Sequence, residues 1–85
     1  MKEIIDGILY DTDTAKLFYS YTFGLRVRSY GTKDIFITED DRYFLHENSG
    51  EINFLLPLEE IDVYRFIREI AGEKEAKKYF PDMND

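Results

Sequence analysis

Residues 52–71 read INFLLPLEEIDVYRFIREIA, and the hydrophobic pattern of the chain changes at Pro57 within this stretch. Before Pro57 the sequence consists of short runs rich in Tyr, Phe and Ile that are typical of strands, and after it apolar residues recur at helical spacing. Proline lacks a backbone N–H and is favoured in the first turn of a helix, so we expect the sheet to end and the helix to begin here. The helix face that the sheet should bury consists of Val63, Phe66, Ile67 and Ile70.

The rest of the C-terminal region also reads as helix. Gly72 is a natural stop for the first helix, because glycine adopts the left-handed conformation that often follows a helix. A second, short helix is predicted over residues 73–80, EKEAKKYF, and Pro81 ends it. We expect residues 82–85 to form a frayed tail.

The N-terminal region predicts short strands joined by polar turns. Residues 3–10 form a strand candidate in which Gly7 marks a bulge, and further candidates cover residues 25–30, 34–38, 42–47 and 51–56, with turns at 31–32, 39–41 and 48–50. Residues 15–23 are ambiguous, since alternation suits a strand while an N-cap at Asp13 or Thr14 would suit a short helix. Their aromatic and Thr content favours the strand.

These elements predict one α+β domain spanning residues 1–85. Residues 1–56 should form an antiparallel β-meander of four to five strands, because consecutive short strands with short connections usually pair with one another. Residues 57–81 should be helical, with one main C-terminal helix packed on the sheet and a short terminal helix after it.

The composition limits the classes of function. Eighteen acidic and eleven basic residues give a net charge of −7, which disfavours direct nucleic-acid binding and favours either solubility or contact with a basic protein surface. There is no cysteine and one histidine, His46, so we expect no structural zinc site. Acidic residues interrupt the N-terminal apolar run and no stretch is long enough to span a bilayer, so we expect a cytoplasmic protein without membrane contact.

The candidate partner-binding residues are acidic and aromatic. Glu39, Asp40 and Asp41 form a predicted hairpin tip, and Glu47 and Glu51 would add negative charge to the same surface. Tyr30 and Tyr43 would offer contact area if they are exposed on the sheet, although core packing is the alternative for any tyrosine. None of the acidic runs has the ligand spacing of a calcium loop, and no motif surrounds His46, so we predict no metal, cofactor or catalytic residues.

Several short pieces together resemble a family of short, mostly uncharacterised proteins from bacterial genomes and mobile elements. The pieces are YDTDTA at 10–15, YFL at 43–45, ENSG at 47–50, the segment 52–60 with PLEE at 57–60, and Phe80. The chain departs from that pattern at residues 34–37, where DIFI replaces the usual Leu-Tyr-Arg, and at Gly50, which replaces a double glycine. Small acidic proteins of mobile elements include inhibitors of host defence such as anti-CRISPR proteins, and the resemblance implies a function of that kind.

The sequence therefore favours a non-enzymatic, acidic protein-binding module, an inhibitor that engages a basic site on a nucleic-acid-handling machine. A housekeeping or regulatory interaction domain that forms a homodimer through its sheet is the alternative. A small enzyme or metal protein is the third and least favoured interpretation.

Overall fold

The computed structural model describes residues 1–24 and 31–84, which form six strands and two helices. The strands are β1 (Lys2–Ile5), β2 (Ile8–Asp11), β3 (Lys16–Phe23), β4 (Gly31–Ile37), β5 (Tyr43–Ser49) and β6 (Ile52–Leu58), and the helices are α1 (Glu60–Ala71) and α2 (Glu73–Tyr79). Neither helix is long and apolar enough to cross a membrane. This order confirms the predicted α+β class.

Strands β3 to β6 form an antiparallel sheet in which each strand lies beside the next one in the chain. Residues 16–23 form a strand, so the strand interpretation of this ambiguous segment is confirmed. The strand predicted over residues 25–30 lies outside the described residues. The meander and the two C-terminal helices agree with the predicted architecture.

The N-terminal segment differs from its prediction because it forms a separate hairpin. Ile5 pairs with Ile8, and Asp6 and Gly7 between them have φ angles of 52° and 79°. Two consecutive positive φ angles are typical of the Asp-Gly turn that matches the twist of a two-residue hairpin. The prediction of one strand with a bulge at Gly7 is therefore wrong: β1 and β2 are separate strands joined by a tight turn.

Two further boundaries also differ from the prediction. Pro57 lies within β6 opposite Phe44, and α1 begins only after its N-cap, Glu59. An edge strand tolerates proline where the missing N–H would point away from the sheet, so the residue does not have to end the strand. Gly31 was predicted to lie in a turn, but it begins β4 and approaches β5 so closely that an added Cβ would lie 2.6 Å from the Asn48 carbonyl oxygen.

The sheet is covered on both faces. The helix-side cluster has its fully buried centre at Ile35, Val63 and Ile67, and it continues through Leu45, Tyr64, Ala76 and Phe80. On the opposite face the β1–β2 hairpin forms a second cluster in which Tyr10, Phe44 and Leu55 are buried. The described chain therefore has three layers: hairpin, sheet and helices.

The predicted inner face of α1 is confirmed at its centre. Val63 and Ile67 are 0% exposed, while Phe66 and Ile70 are half-buried. The ring of Phe66 contacts that of Tyr19 edge-on, at a centroid distance of 6.4 Å. In the tail, which we expected to fray, Met83 packs against the helix-side cluster, and its N–H donates to the Phe80 carbonyl at 3.2 Å.

Candidate acidic interaction surface

The hairpin tip between β4 and β5 presents three consecutive carboxylates on an ordered turn. The Thr38 N–H donates to the Arg42 carbonyl at 2.9 Å, and the Asp41 N–H donates to the Thr38 carbonyl at 3.0 Å. The Thr38 hydroxyl accepts a further bond from the Arg42 N–H at 3.1 Å. Glu39, Asp40 and Asp41 are all exposed, so the turn holds its backbone while the three side chains stay in water.

A second acidic segment lies at the start of α1. The Glu59 N–H donates to Asp62 Oδ2 at 2.9 Å, which gives one half of a capping box, and Glu60 follows in the first helical turn. Carboxylates are favourable here because the N-terminal end of a helix carries partial positive charge. Glu59 and Glu60 are exposed, whereas Asp62 is half-buried.

The pairing of β5 with β6 brings these two acidic segments together. Tyr43, the first residue of β5, lies opposite Leu58, the last residue of β6, so the hairpin tip and the start of α1 are at the same end of the sheet. Between them is an open groove of about 470 Å³. The residues that line it are Tyr10, Asp40, Asp41, Arg42, Tyr43, Pro57, Leu58, Glu59, Glu60 and Asp62. We call this groove, together with Glu39, the acidic end.

The electrostatic effect of the acidic end is visible at Tyr43. Burial raises the pKa of its phenol, and the negative charges of Glu60 and Asp41 raise that pKa further. One carboxylate comes from α1 and the other from the hairpin tip, so both segments act on the same side chain. A groove with carboxylates on both sides attracts ammonium and guanidinium groups.

Tyr43 was predicted as a contact residue, and the structure places much of its ring in the core. The ring packs edge-on against Phe18 at a centroid distance of 5.1 Å and against Phe80 at 6.1 Å. The residue is half-buried and also lines the groove. Its contribution to a partner surface is therefore limited to the part of the ring that faces the groove.

The other predicted contact residues do not join the acidic end. Glu47 is half-buried in β5, where its Oε1 lies 3.7 Å from Lys33 Nζ. Glu51 is exposed in the turn between β5 and β6, at the opposite end of the sheet. Seven-residue β5 separates the two turns by roughly 23 Å at about 3.3 Å per residue. Tyr30 lies outside the described residues.

The local sequence pattern does not connect the hairpin tip with Glu59, Glu60, Asp62 and Tyr10. The acidic residues after Pro57 were interpreted only through the helix dipole, and Tyr10 was assigned only to a strand. The register of β5 against β6 and the docking of the hairpin bring these residues to the tip. Neither is visible in a local sequence pattern.

A polar row crosses the hairpin-side face of the sheet. The Ser20 hydroxyl donates to Asp34 Oδ1 at 2.5 Å, Asp34 lies opposite His46, and His46 Nε2 is 2.6 Å from Asn53 Oδ1. Ser20 donates to Asp34 and not to His46, so this row does not have the serine-to-histidine hydrogen bond of a Ser-His-Asp triad. Among residues 1–24 and 31–84, no group of three or more His, Cys, Asp or Glu residues has the arrangement of a metal site.

Comparison with family models, curated proteins and solved structures finds no match to this chain. The resemblance to short proteins of mobile elements therefore stays a prediction.

Proposed function

We propose that this protein is a non-enzymatic acidic binding module whose acidic end engages a basic site on another protein. The observation that supports this proposal most directly is the meeting of two acidic segments across one open groove. Five of the carboxylates, those of Glu39, Asp40, Asp41, Glu59 and Glu60, belong to exposed residues. Lysine or arginine side chains of a partner can reach them without any rearrangement of the sheet.

This chemistry suits a partner whose basic surface normally binds phosphate groups. Carboxylates held at a turn and at a helix start can occupy a basic groove in place of a nucleic-acid backbone, because arginine binds carboxylate and phosphate with the same fork of N–H groups. We therefore propose an inhibitor of a nucleic-acid-handling machine. The resemblance to mobile-element proteins supports the anti-CRISPR type of inhibitor.

The test is affinity capture of partners by three immobilised proteins. They are the wild type, a tip variant with Glu39→Lys, Asp40→Lys and Asp41→Lys, and a control with Glu3→Lys, Glu69→Lys and Glu73→Lys. All six residues are exposed, and each triple variant changes the net charge by the same amount. The control therefore separates the position of the charge from its total.

We expect a partner that the wild type and the control retain at low salt and that the tip variant loses. Kinetic measurements on that partner should show association slowed by added salt, because screening shortens the range of the attraction to about 8 Å at physiological ionic strength. Binding that is equal for all three proteins, or that does not respond to salt, would contradict the proposal.

A further inference from the structure

Strand β6 is an edge strand with an exposed apolar stripe. Ile52, Phe54 and Leu56 alternate along it on the helix-side face of the sheet, with exposed fractions of 55%, 37% and 46%. Within the part of the chain that the structure describes, β6 pairs with β5 alone, and the β1–β2 hairpin only packs on its opposite face at Leu55. An apolar edge strand of this kind is suited to receive an extended segment of another protein, whose main chain adds to the sheet.

The backbone groups of β6 that face away from β5 follow from the β5–β6 hairpin. Ser49 and Ile52 flank a two-residue turn, so they form a hydrogen-bonded pair, and every second residue of β6 after Ile52 also bonds to β5. The N–H and C=O groups of Asn53 and Leu55 therefore point away from β5. Pro57 belongs to the same outward-facing set, so the N–H that it lacks is not missing from the ladder with β5.

Negative charge flanks the apolar stripe at both ends. The stretch from Glu51 to Glu60 contains three glutamates and no lysine or arginine. Glu51 lies in the turn immediately before β6, Glu59 and Glu60 follow its last residue, and all three are exposed. A segment that lies along β6 therefore meets apolar side chains at its centre and carboxylates at both ends.

The other edge of the sheet has the opposite character. Strand β3 begins with Lys16, which is exposed and is the only charged residue of that strand, and its register with β4 shifts between Leu17 and Tyr19. A lysine and a bulge both hinder the addition of another strand. The lysine also repels a basic segment, so charge and backbone geometry both favour β6.

We propose that β6 receives an extended segment of a partner protein that is apolar at its centre and carries lysine or arginine at both ends. The segment adds antiparallel, as all neighbouring strands of this sheet do. Its residues opposite Ile52, Phe54 and Leu56 supply apolar side chains. Those opposite Asn53 and Leu55 exchange N–H and C=O bonds with β6. The basic character of the partner rests on the proposed function, whereas its extended form is assigned by β6.

The bound segment leads into the acidic end. Pro57 and Leu58, the last two residues of β6, line the groove of the acidic end together with Glu59 and Glu60. In the antiparallel direction the N-terminal end of the segment lies beside these residues, so its basic side chains reach the carboxylates of the groove. One extended chain therefore contacts the apolar edge and the acidic end at the same time.

Fluorescence anisotropy of labelled peptides with the full chain tests this binding mode. The probe is the capped peptide KKVTVTVKK, whose three valines lie opposite the apolar stripe and whose two threonines lie opposite Asn53 and Leu55. The comparison peptide is EEVTVTVEE, which has the same centre and the opposite charge. We expect the basic probe to bind at least roughly ten-fold more tightly than the acidic peptide, because the carboxylates at both ends of β6 attract one and repel the other.

A change in the backbone of β6 separates strand addition from simple attraction between charges. Asn53→Pro removes an outward-facing N–H and leaves the ladder with β5 unchanged, as Pro57 already does. Asn53→Ala is the matched control, because both variants lose the side-chain Oδ1 that lies 2.6 Å from His46 Nε2. The probe should bind Asn53→Pro roughly ten-fold more weakly than Asn53→Ala, since one hydrogen bond is lost and the proline ring obstructs the incoming strand. Circular dichroism checks that each variant is folded.

Methylation of the peptide backbone gives the same test on the unaltered protein. Methyl groups on the amide nitrogens of the two threonines block the bonds to β6 and should weaken binding at least roughly ten-fold, whereas methyl groups on two valine nitrogens face away and should change it less than about two-fold. A probe that does not bind at about 1 mM, or that tolerates both methylation patterns equally, would overturn the proposal. A captured partner that depends on Glu39, Asp40 and Asp41 but binds Asn53→Pro and Asn53→Ala equally would overturn strand addition and leave the proposed function standing.

Discussion

Ile67→Ala should reveal how strongly the packing of α1 on the sheet stabilises this domain. Ile67 is fully buried in the helix-side cluster. The substitution removes three carbons, which at about 0.8 kcal/mol for each buried group is roughly 2.4 kcal/mol. The cavity left behind adds to this loss, and the better helix propensity of alanine offsets roughly 0.4 kcal/mol of it. We expect a net loss of about 3 kcal/mol in the free energy of unfolding.

That loss is large for a chain of 85 residues. At about 0.05–0.15 kcal/mol per residue, its total stability should be roughly 4–13 kcal/mol. Urea denaturation followed by circular dichroism measures the change as a lower midpoint at an unchanged slope. Ile4→Ala is the matched control, because it removes the same three carbons from a side chain that is 70% exposed. It should lower the free energy of unfolding by less than about 1 kcal/mol. Equal losses at the two positions would refute the assigned inner face of α1.

Two further predictions concern the close approach of β4 to β5 and the acidic end. Gly31→Ala should lower the free energy of unfolding by roughly 1–3 kcal/mol, because the new Cβ would meet the Asn48 carbonyl oxygen. An unchanged urea midpoint would contradict this close approach of the two strands. Glu60→Gln should lower the raised pKa of Tyr43, measured by NMR titration of the ring, and an unchanged pKa would contradict the placement of α1 beside the tip. The folded state holds the phenol proton of Tyr43 more tightly than the unfolded chain does. The contribution of Tyr43 to stability is therefore fully present below about pH 10 and is lost as the pH rises through the pKa of the folded state.

Much of the fold could be predicted because its signals are local. The helical spacing of Val63, Ile67 and their neighbours identified α1, and the acidic run at 39–41 between two apolar runs identified the hairpin tip. The prediction that the helix begins at Pro57 was wrong, although proline does favour the start of a helix. Strand β6 accommodates Pro57 because β6 lies at the edge of the sheet. That position is a property of the whole sheet.

The acidic end could be predicted only in part for a related reason. The hairpin tip is continuous in sequence, but Glu60 reaches the same groove only because Tyr43 pairs with Leu58. The covering of the second sheet face depends likewise on the contact of Tyr10 with Phe44, whose ring centroids are 5.3 Å apart. Neither contact leaves a signal in the spacing of nearby residues.

The acidic end should respond both to salt and to the position of its charge. Attraction between the acidic end and a basic partner weakens as salt screens it, because Glu39, Asp40 and Asp41 are exposed to the solvent ions. Charge reversal at residues 39–41 should therefore weaken binding most at low salt, where the attraction has its longest range. Reversal at Glu3, Glu69 and Glu73 changes the net charge by the same amount, so an equal loss of binding in that control would show that total charge, and not the acidic end, determines the affinity.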